Sequence, residues 1–465
     1  MIYKNDSARD IKITYIGGGS RGWAWKFMAD LANDPQMSGT IALYDIDFDA
    51  AKKNEIIGNK ITALEGAVGD WKYEAVESLP KALQGADFVV ISILPGTFDE
   101  MHSDVHLPER HGIYQPVGDT AGPGGVIRAL RTIPMFVEIA EAIKAYSPKA
   151  WVINYTNPMS ICMKTLYHVF PQIKAFGCCH EVFGTQKMLR DIYERTTGAE
   201  GIGREEIKVN VLGINHFTWF DYASYKGIDL FPIYTKFIDE HFEEGINEKE
   251  QNWMNSSFAS QNRVKMDLFR RYGFIAAAGD RHLAEFVDSA IYLKDPETVA
   301  VWKFGLTTVE WRKNNLVDRN EESRKLVAGE QEPSLEPSGE EGVLLMKALI
   351  GLRQQISNVN IPNSSLQIPN LPIDAVVETN ALFERDAIRP IMAGELPKPI
   401  LEMTLPHVQN HETTLKAALE CDRGLVLQAF ENDPLIAGKI AKADLQKLAN
   451  EMIDNTLEYL PKKWR

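Results

Sequence analysis

A short apolar strand that runs into a glycine-rich turn and then a helix constrains this chain more than any other feature. Residues 11–16 are the strand, and residues 23–33 follow a helical pattern. The turn between them has the spacing G-x-G-x-x-G, in which the first two glycines allow a tight turn and let the backbone approach a pyrophosphate. The start of the helix would offer unpaired N–H groups to the phosphates. The residues predicted to bind a dinucleotide here are Gly17, Gly19, Ser20, Arg21 and Gly22.

The acid at the end of the next predicted strand indicates which dinucleotide is bound. Residues 40–44 form that strand, and Asp45 follows it. A carboxylate at this place accepts hydrogen bonds from the adenosine ribose and repels a 2′-phosphate, so the sequence favours NAD over NADP. The alternative is a glycine-rich turn with no ligand.

The order of the predicted elements indicates the fold class. Further strands at residues 88–94 and 150–154 also end in polar loops, and helical patterns separate the strands. This alternation predicts an α/β fold with a Rossmann-type, doubly wound parallel sheet, in which ligands gather beyond the carboxyl ends of the strands. We expect this dinucleotide-binding domain to span residues 1–170.

The remainder, residues 171–465, is expected to form a larger, mixed and helix-rich α+β domain. Residues 209–213 have a strand pattern, whereas residues 258–313 and 413–459 are dominated by helical spacing. Residues 318–342 are rich in Glu, Ser, Pro and Gly, which predicts a mobile surface loop.

Charge and cysteine content limit the partners and the compartment. The formal net charge of −14 argues against nucleic acid and anionic membrane as partners, because both require basic surfaces. No apolar run approaches the length of a membrane span, and the first ten residues are too polar for a signal peptide. The 4 cysteines, two of them adjacent, indicate free thiols in a reducing compartment, so we expect a cytoplasmic protein.

Two residues further along the chain are candidates for a metal site. Cys179 as a thiolate and His216 as a neutral imidazole would form a ligand pair suited to a transition metal. With only two protein ligands, water or substrate would complete the coordination sphere, as in catalytic sites. The alternative is a buried cysteine and a core histidine that hydrogen-bonds to the backbone.

Several motifs together resemble glycoside hydrolase family four. They occur in the order of that family and span most of the chain: GDTAGPGG at 118–125, NYTNP at 154–158, KAFGCCH at 174–180, GINH at 213–216 and NLPID at 370–374. The resemblance implies a fold related to lactate and malate dehydrogenases. In that fold, Asn157 would lie near the nicotinamide.

The resemblance also implies a glycosidase that uses NAD and a divalent metal, usually manganese, instead of the two carboxylates of ordinary glycosidases. In the implied reaction, hydride passes from C3 of the sugar to NAD, and the resulting ketone makes the C2–H bond acidic. A side-chain base removes that proton while the metal stabilises the enediolate. The aglycone then leaves from C1, water adds and the hydride returns, so that no net oxidation occurs.

The resemblance further implies roles for individual residues. Cys179 and His216 would hold the metal, and His180 would either protonate the departing oxygen or only orient its loop. The base would be Asp267, with Tyr272 as the second choice; the alternative for Asp267 is a surface ion pair with a neighbouring arginine. The residues expected to contact the substrate are Asp119, Asn154, Glu181, Asn215, Arg281 and His282.

The tetrapeptide that begins with the proposed metal cysteine indicates the substrate. Residues 179–182 read Cys-His-Glu-Val, similar to the form in α-galacturonidases, whereas phospho-glycosidases of the family have Asp or Asn after the cysteine. An α-galacturonide would need a cation, ideally an arginine, for its carboxylate. Arg281 is the first candidate, and Arg128 and Arg131 are also possible. The α-glucuronidase and α-galactosidase activities stay open.

Two other functional classes are also compatible with the dinucleotide loop. An NAD-dependent hydroxy-acid dehydrogenase would oxidise its substrate and would need no thiolate metal site, and a dinucleotide-binding regulator would show no turnover. Members of the family are commonly dimers or tetramers, so residues 171–465 are expected to bind the substrate and metal and also to form a homo-oligomer.

Overall fold

The computed structural model describes residues 1–4, 6–247, 260–306 and 308–465. Its strands are β1 (Ile2–Lys4), β2 (Ser7–Ile16), β3 (Met37–Tyr44), β4 (Asp70–Ala75), β5 (Phe88–Ile91), β6 (Trp151–Asn154), β7 (Lys174–Gly177), β8 (Ile207–Ile214), β9 (Phe217–Tyr225), β10 (Ile228–Asp229), β11 (Ile275–Ala276), β12 (Gln355–Pro362), β13 (Val376–Glu384) and β14 (Ala387–Pro390).

Its α-helices are α1 (Trp23–Ala32), α2 (Phe48–Thr62), α3 (Leu79–Leu83), α4 (Phe98–His106), α5 (Gly122–Tyr146), α6 (Met159–Val169), α7 (Glu181–Thr197), α8 (Phe231–His241), α9 (Arg263–Tyr272), α10 (Asp280–Glu285), α11 (Ser289–Tyr292), α12 (Pro296–Val301), α13 (Val309–Ala328), α14 (Gly342–Ile350), α15 (Lys398–Glu420), α16 (Arg423–Glu431) and α17 (Lys442–Asp454). The helical segment predicted from residue 258 begins outside the described residues, and its described part is divided among several short helices.

The strand order identifies the architecture. Ten strands of the described chain form one sheet in the order β14-β13-β12-β7-β6-β5-β2-β3-β4, with β1 paired to β2. The strands from β7 to β4 in this order pair in parallel; Ile16, for example, lies opposite Tyr44 on one side and Ile91 on the other. This is the doubly wound strand order of a Rossmann-type fold. The predicted fold class is therefore confirmed.

Apolar strands and helices on both faces explain why this sheet lies at the centre. All four residues of β5, Phe-Val-Val-Ile, are buried, as expected for a strand covered on both faces. Helices α1, α2 and α14 pack on one face, and α3, α5 and α6 pack on the other. No helix in the described part of the chain is long and apolar enough to cross a membrane.

The sheet continues past the predicted domain boundary at residues 170/171. β7 pairs in parallel with β6, and β12 pairs antiparallel with β7, where Asn360 lies opposite Gly177. β13 and β14 extend the same sheet, while β8 to β11 form a second sheet. The boundary therefore falls inside one continuous sheet, and the division into two domains stays a prediction.

The loop predicted at residues 318–342 is wrong in its first part, because α13 continues to Ala328. Ion pairs one turn apart stabilise this polar helix; Arg324, for example, lies 3.0 Å from Glu321. The helix ends at Gly329, whose φ of 76° is left-handed and favours glycine.

Residues 329–341 contain no helix or strand, but they are anchored along α1. Lys26 Nζ lies 2.8 Å from Glu336 Oε2, and the Ser338 hydroxyl donates to Asp30 Oδ2 at 2.5 Å. Lys26 and Asp30 both belong to α1. The segment therefore lies beside the helix that follows the glycine-rich turn.

Candidate active site

The glycine-rich turn brings the backbone into contacts that a side chain would prevent. Gly17 has a φ of 93°, and a Cβ atom there would lie 2.0 Å from the carbonyl oxygen of Ser92. The N–H of Gly19 donates to Asp45 Oδ2 at 2.8 Å, and Gly22 precedes α1 with a φ of 121°. Both positive φ values favour glycine. The turn can therefore let a phosphate approach the start of α1.

Asp45 lies at the carboxyl end of β3, beside this turn. Its carboxylate accepts hydrogen bonds from the N–H groups of Gly19 at 2.8 Å and Asp47 at 2.9 Å. Burial raises the pKa of Asp45, whereas these two hydrogen bonds lower it. Ser20 and Arg21 are half-buried on the same turn, and Arg21 Nη2 lies 3.6 Å from Asp47 Oδ2. The structure thus brings the residues predicted for dinucleotide binding together at one edge of the sheet.

Three side chains from different elements converge near the carboxyl ends of the strands. Asp119 precedes α5, His216 lies in the β8–β9 turn, and His282 lies in α10. One potential ligand atom from each lies within 4.8 Å of those of the other two. The two imidazole rings stack with their centroids 4.0 Å apart. We call Asp119, His216 and His282 the carboxylate–histidine cluster.

Thr120 determines which nitrogen of His216 carries the proton. The single hydroxyl hydrogen of Thr120 is donated to Asp119 Oδ1 at 2.7 Å. The 3.2 Å contact between Thr120 Oγ1 and His216 Nδ1 therefore needs the ring N–H as donor. Burial lowers the pKa of His216 to about 3, so the ring is neutral. The lone pair of its Nε2 is then available to a metal.

His282, in contrast to the neutral His216, is protonated and carries a positive charge. Its Nδ1 lies 3.2 Å from Glu181 Oε1, and its Nε2 lies 3.8 Å from Asp119 Oδ1. Burial alone would lower the pKa of His282, but the two carboxylates raise it to about 10. Burial likewise opposes ionisation of Asp119 and Glu181, but the imidazolium holds their pKa values well below the usual range. Glu181 also accepts a hydrogen bond from the N–H of Gly279.

Cys179 lies close to the cluster but outside its set of mutually close ligand atoms. The side chain of Asn215, the residue before His216, lowers the pKa of the Cys179 thiol. Burial raises the pKa of Cys179 well above its ordinary value, and the charges of Glu378 and Glu181 act in the same direction. The thiol is therefore protonated, and a metal would have to displace this proton.

Glu378, on β13, organises this side of the site. Its carboxylate accepts hydrogen bonds from Asn215 Nδ2 at 3.1 Å and Asn358 Nδ2 at 2.7 Å. Asn358 Nδ2 also lies 3.2 Å from the carbonyl oxygen of Cys179. Burial raises the pKa of Glu378 to about 7. The C-terminal strands thus position both the Cys179 loop and the β8–β9 turn.

The two predicted asparagines at the end of β6 and in the turn after it have different surroundings. Asn157 Nδ2 donates to Asp119 Oδ2 at 3.2 Å, at the edge of the cluster. Asn154 is fully buried and exchanges hydrogen bonds with the backbone N–H and carbonyl of Thr156, at 3.0 and 2.9 Å. Asn154, predicted as a substrate contact, therefore shapes the turn that presents Asn157.

His180 faces the 329–341 segment. Its Nδ1 lies 3.0 Å from Glu340 Oε1, and its ring lies beside that of Trp23, with centroids 6.1 Å apart. Burial alone would lower the pKa of His180, but Glu340 raises it to about 8. The side chain is 37% exposed, so its proton is accessible.

The structure does not bring the two predicted bases to the cluster. Asp267, on α9, accepts hydrogen bonds from Arg271 Nε and Tyr292 Oη, both at 2.6 Å. Tyr272 packs edge-on against Trp219, with ring centroids 6.3 Å apart. Among the described residues, neither base candidate has a hydrogen bond or ion pair with the cluster.

Arg281 is next to His282 in the chain, but two of its nitrogens face the backbone. Nη2 donates to the carbonyl of Pro116, and Nε donates to that of Gly305 at 3.3 Å. Burial lowers the pKa of Arg281 to about 10.

Sequence reasoning missed Thr120, Glu340 and Glu378. Thr120 lies in a quoted motif, next to a predicted residue, but its hydroxyl had no predicted role. Glu378 is an acid that follows two valines at the start of β13, and a buried acid of this kind indicates a polar partner. Glu340 gives no local signal, because its partner His180 is far away in the sequence.

This chain is similar along its whole length to proteins of known family. Family models for "Family 4 glycosyl hydrolase" and for its C-terminal domain match residues 12–195 and 211–436. An α-galacturonidase from Lachnoclostridium phytofermentans is 67% identical over 464 residues, which cover 100% of both chains. A crystal structure of a Bacillus subtilis protein is 53% identical, with a TM-score of 0.90, and the match covers 96% of this chain and 100% of that chain.

A more distant structure has the same fold. It is a 6-phospho-α-glucosidase from gut microorganisms in complex with NAD and Mn²⁺, and it is 20% identical with a TM-score of 0.77. The match covers 97% of this chain and 99% of that chain.

Proposed function

The chain belongs to glycosyl hydrolase family 4, and we propose that it hydrolyses α-galacturonides. The observation that carries this proposal is the full-length identity of 67% to a protein named α-galacturonidase. The Cys-His-Glu-Val sequence at residues 179–182 supports the same substrate class. The α-glucuronidase, α-galactosidase and hydroxy-acid dehydrogenase alternatives have less support.

The glycine-rich turn fits NAD. The contact between Gly17 and Ser92 leaves room for backbone only, and Asp45 lies at the strand end where a ribose would be hydrogen-bonded. We propose that NAD binds along this turn, with Asn157 near its reactive end. Bound NAD supplies reversible acceptance of a hydride from a sugar carbon. The gut protein of the same fold, solved with NAD and Mn²⁺, supports this assignment.

The carboxylate–histidine cluster fits a divalent metal. A neutral His216 and an ionised Asp119 offer a nitrogen and an oxygen ligand that suit Mn²⁺. We propose that His216 and Cys179 hold the ion, with Asp119 as a third ligand. The chemistry of such an ion is stabilisation of negative charge on neighbouring sugar oxygens.

The proposed proton transfers involve residues on opposite sides of the site. His180 donates a proton to the departing glycosidic oxygen, and Glu340 keeps it protonated at neutral pH. Asp267 remains the predicted base and Tyr272 the second choice. For Asp267 this role requires its carboxylate to leave Arg271 and Tyr292, which engage it in the structure.

Hydrolysis of p-nitrophenyl α-D-galacturonide in the presence of NAD and Mn²⁺ tests the proposal. We expect release of nitrophenol without accumulation of NADH, because the hydride returns in every turnover. Steady growth of NADH absorbance would instead identify a dehydrogenase. Absence of nitrophenol with this substrate, together with release from the α-galactoside or α-glucuronide, would move the proposal to one of those sugars.

Isotopic labelling tests the order of bond changes. Deuterium at C2 of the sugar should slow nitrophenol release or exchange into solvent, because the C2–H bond breaks before the aglycone leaves. Full retention of the label at an unchanged rate would contradict proton abstraction.

Assembly and compartment are further parts of the proposal. We propose a homo-oligomer, a dimer or a tetramer, which light scattering coupled to size-exclusion chromatography would detect. All four cysteines are free in the structure, which supports a reducing compartment such as the cytoplasm.

A further inference from the structure

The proposed substrate differs from a galactoside by one carboxylate, at C6. A cation that recognises this group must lie at the site and must have nitrogens that are not already used. The sequence offered Arg281, Arg128 and Arg131, and the structure separates these three candidates by their hydrogen bonds.

Arg131 is fully used within the protein. Its guanidinium forms a buried, two-pronged ion pair with Asp104, at 3.2 and 2.5 Å, and its Nε donates to the carbonyl of Pro95 at 2.9 Å. Arg281 directs Nη2 and Nε to backbone carbonyls, as described above. Neither arginine offers a planar pair of unused donors.

Arg128 differs from both. It lies in the second turn of α5 and is only 6% exposed, yet its guanidinium donates one hydrogen bond among the described residues, from Nε to the carbonyl of Asn157 at 3.1 Å. Its Nη1 is buried and has no hydrogen-bond partner in the described structure. A buried charged donor without an acceptor is unfavourable, so this arrangement is suited to an anion that arrives with a ligand.

Two hydrogen bonds connect Arg128 to the carboxylate–histidine cluster. Arg128 donates to the carbonyl of Asn157, and the side chain of Asn157 donates to Asp119. Arg281 and Arg312 also act on the same region, since the charge of Asp119 raises the pKa of each of these arginines against the effect of burial. Several arginines therefore lie near one side of the cluster, and Nη1 of Arg128 is a buried donor without a partner among the described residues.

We propose that the Arg128 guanidinium binds the C6 carboxylate of the galacturonide. This inference rests on the proposed function and names the residue that distinguishes the uronide from the neutral sugar. A guanidinium matches a carboxylate because its terminal nitrogens can donate two parallel hydrogen bonds. The hydroxymethyl group of a galactoside has no charge to pair and would leave Nη1 without a partner.

Kinetics of Arg128→Met and Arg128→Lys test this role. The substrates are p-nitrophenyl α-D-galacturonide, its uncharged methyl ester and p-nitrophenyl α-D-galactoside, each with NAD and Mn²⁺. We expect kcat/KM of the Met variant for the acid to fall on the order of 100-fold, because a buried charged partner is lost. Its kcat/KM for the ester and the galactoside should fall much less than for the acid and by one common factor, because loss of the hydrogen bond to the Asn157 carbonyl affects all three substrates alike. The Lys variant keeps the charge but cannot donate two parallel hydrogen bonds. Its kcat/KM for the acid should therefore lie between those of the wild type and the Met variant.

A matched control separates this effect from general loss of charge or fold. Arg110 is an exposed arginine that pairs with Glu451 at 3.1 Å, and Arg110→Met should leave all three substrates unchanged. Binding of NAD to each variant, followed by fluorescence, reports whether the fold is intact. Equal losses on the acid, the ester and the galactoside would overturn the proposal, because a purely structural arginine does not distinguish the three.

Binding of free D-galacturonate by calorimetry keeps the inference testable if hydrolysis fails. If hydrolysis fails, tight binding of galacturonate to the wild type and weak binding to both Arg128 variants would still support the role of Arg128. The failed hydrolysis would then contradict only the proposed function. Equal binding to the wild type and the variants, or none to the wild type, would overturn the inference itself.

Discussion

The charge of each imidazole at this site is set by its burial and by the charges of its neighbours. His282 lies between Glu181 and Asp119 and is a cation, whereas the stacked His216 donates its Nδ1–H to Thr120 Oγ1, is buried beside the charged His282 and is neutral. A neutral imidazole can ligate a metal and a charged one cannot. Two histidines in ring contact therefore have different chemistry, and the difference comes from their neighbours.

Glu340 should control the pH dependence of the reaction through His180. The pKa of His180 is raised from 6.5 to about 8, so its ion pair with Glu340 is complete below about pH 6.5 and is lost as the pH rises through about 8. If His180 donates the proton, kcat/KM should fall above about pH 8. In Glu340→Gln this alkaline limb should move about one unit lower.

A pH profile of kcat/KM measures this shift. Glu336→Gln is the matched control, because Glu336 lies on the same segment but pairs with Lys26, away from His180. An alkaline limb at the same pH in the wild type and Glu340→Gln would show that another group supplies the proton.

Cys179→Ser should weaken metal binding while NAD binding stays intact. A serine hydroxyl is a far poorer ligand than a thiolate, and a lost ligand costs about tenfold to 100-fold in affinity or more. Titration of Mn²⁺ by electron paramagnetic resonance measures this directly. Cys421, which ends α15 and whose thiol donates to the carbonyl of Ala418 at 3.7 Å, provides the control Cys421→Ser. Unchanged Mn²⁺ affinity in Cys179→Ser would leave Asp119 and His216 as the protein ligands.

At the scale of single elements, the turn after β2 depends on the glycine at its first position. Gly17→Ala would place a Cβ atom 2.0 Å from the carbonyl oxygen of Ser92 and would also strain a φ of 93°. We expect NAD affinity to fall about tenfold or more, which corresponds to ~1.4 kcal/mol. Isothermal titration with NAD measures this change.

Gly227 provides a matched control for that substitution. Its φ is 83°, and a Cβ atom there would meet nothing within 4 Å, so Gly227→Ala carries the backbone strain without the collision. Equal NAD affinities for the wild type and Gly17→Ala would contradict the assignment of this turn.

The parallel strands could be predicted from the sequence, but the C-terminal strands could not. β2, β3, β5 and β6 are apolar runs that end in polar loops, which is the pattern of strands buried on both faces. β12 contains the polar residues Asn358 and Asn360 at buried positions, which contradicts the expected apolar pattern. Glu378 on the neighbouring strand accepts the hydrogen bond that Asn358 Nδ2 donates, and a partner from a distant segment cannot be predicted from local spacing.

At the candidate site, too, contacts between distant segments could not be predicted from the sequence. Asp119, Cys179 and His216 could be singled out because they lie in motifs that resemble glycoside hydrolase family four, whereas local spacing alone would not have identified them. Their protonation could not be predicted, because it depends on which carboxylate lies within about 4 Å in the fold. The helix register around Asp267 also stayed undetermined, since an acid next to arginines has a ready surface partner.

At the scale of the whole molecule, the continuous sheet predicts cooperative folding. A fragment of residues 1–170 ends before β7, which pairs with β6, and lacks β12 to β14 as well. It would expose an apolar strand edge, so we expect it to aggregate or to lack a cooperative transition. Calorimetry of the full chain should show one transition. A soluble 1–170 fragment that melts cooperatively and binds NAD would instead support an independent N-terminal domain.

The pairing of β7 with β12 also has a consequence for biosynthesis. The loop that carries Cys179 begins directly after β7, yet the strands that fix it, β12 and β13, are translated only when the ribosome has passed residue 384. A nascent chain therefore has its glycine-rich turn long before this loop is fixed. During that interval its two adjacent thiols are open to oxidation and to stray metal ions, so chaperones that shelter the growing polypeptide should raise the yield of active enzyme.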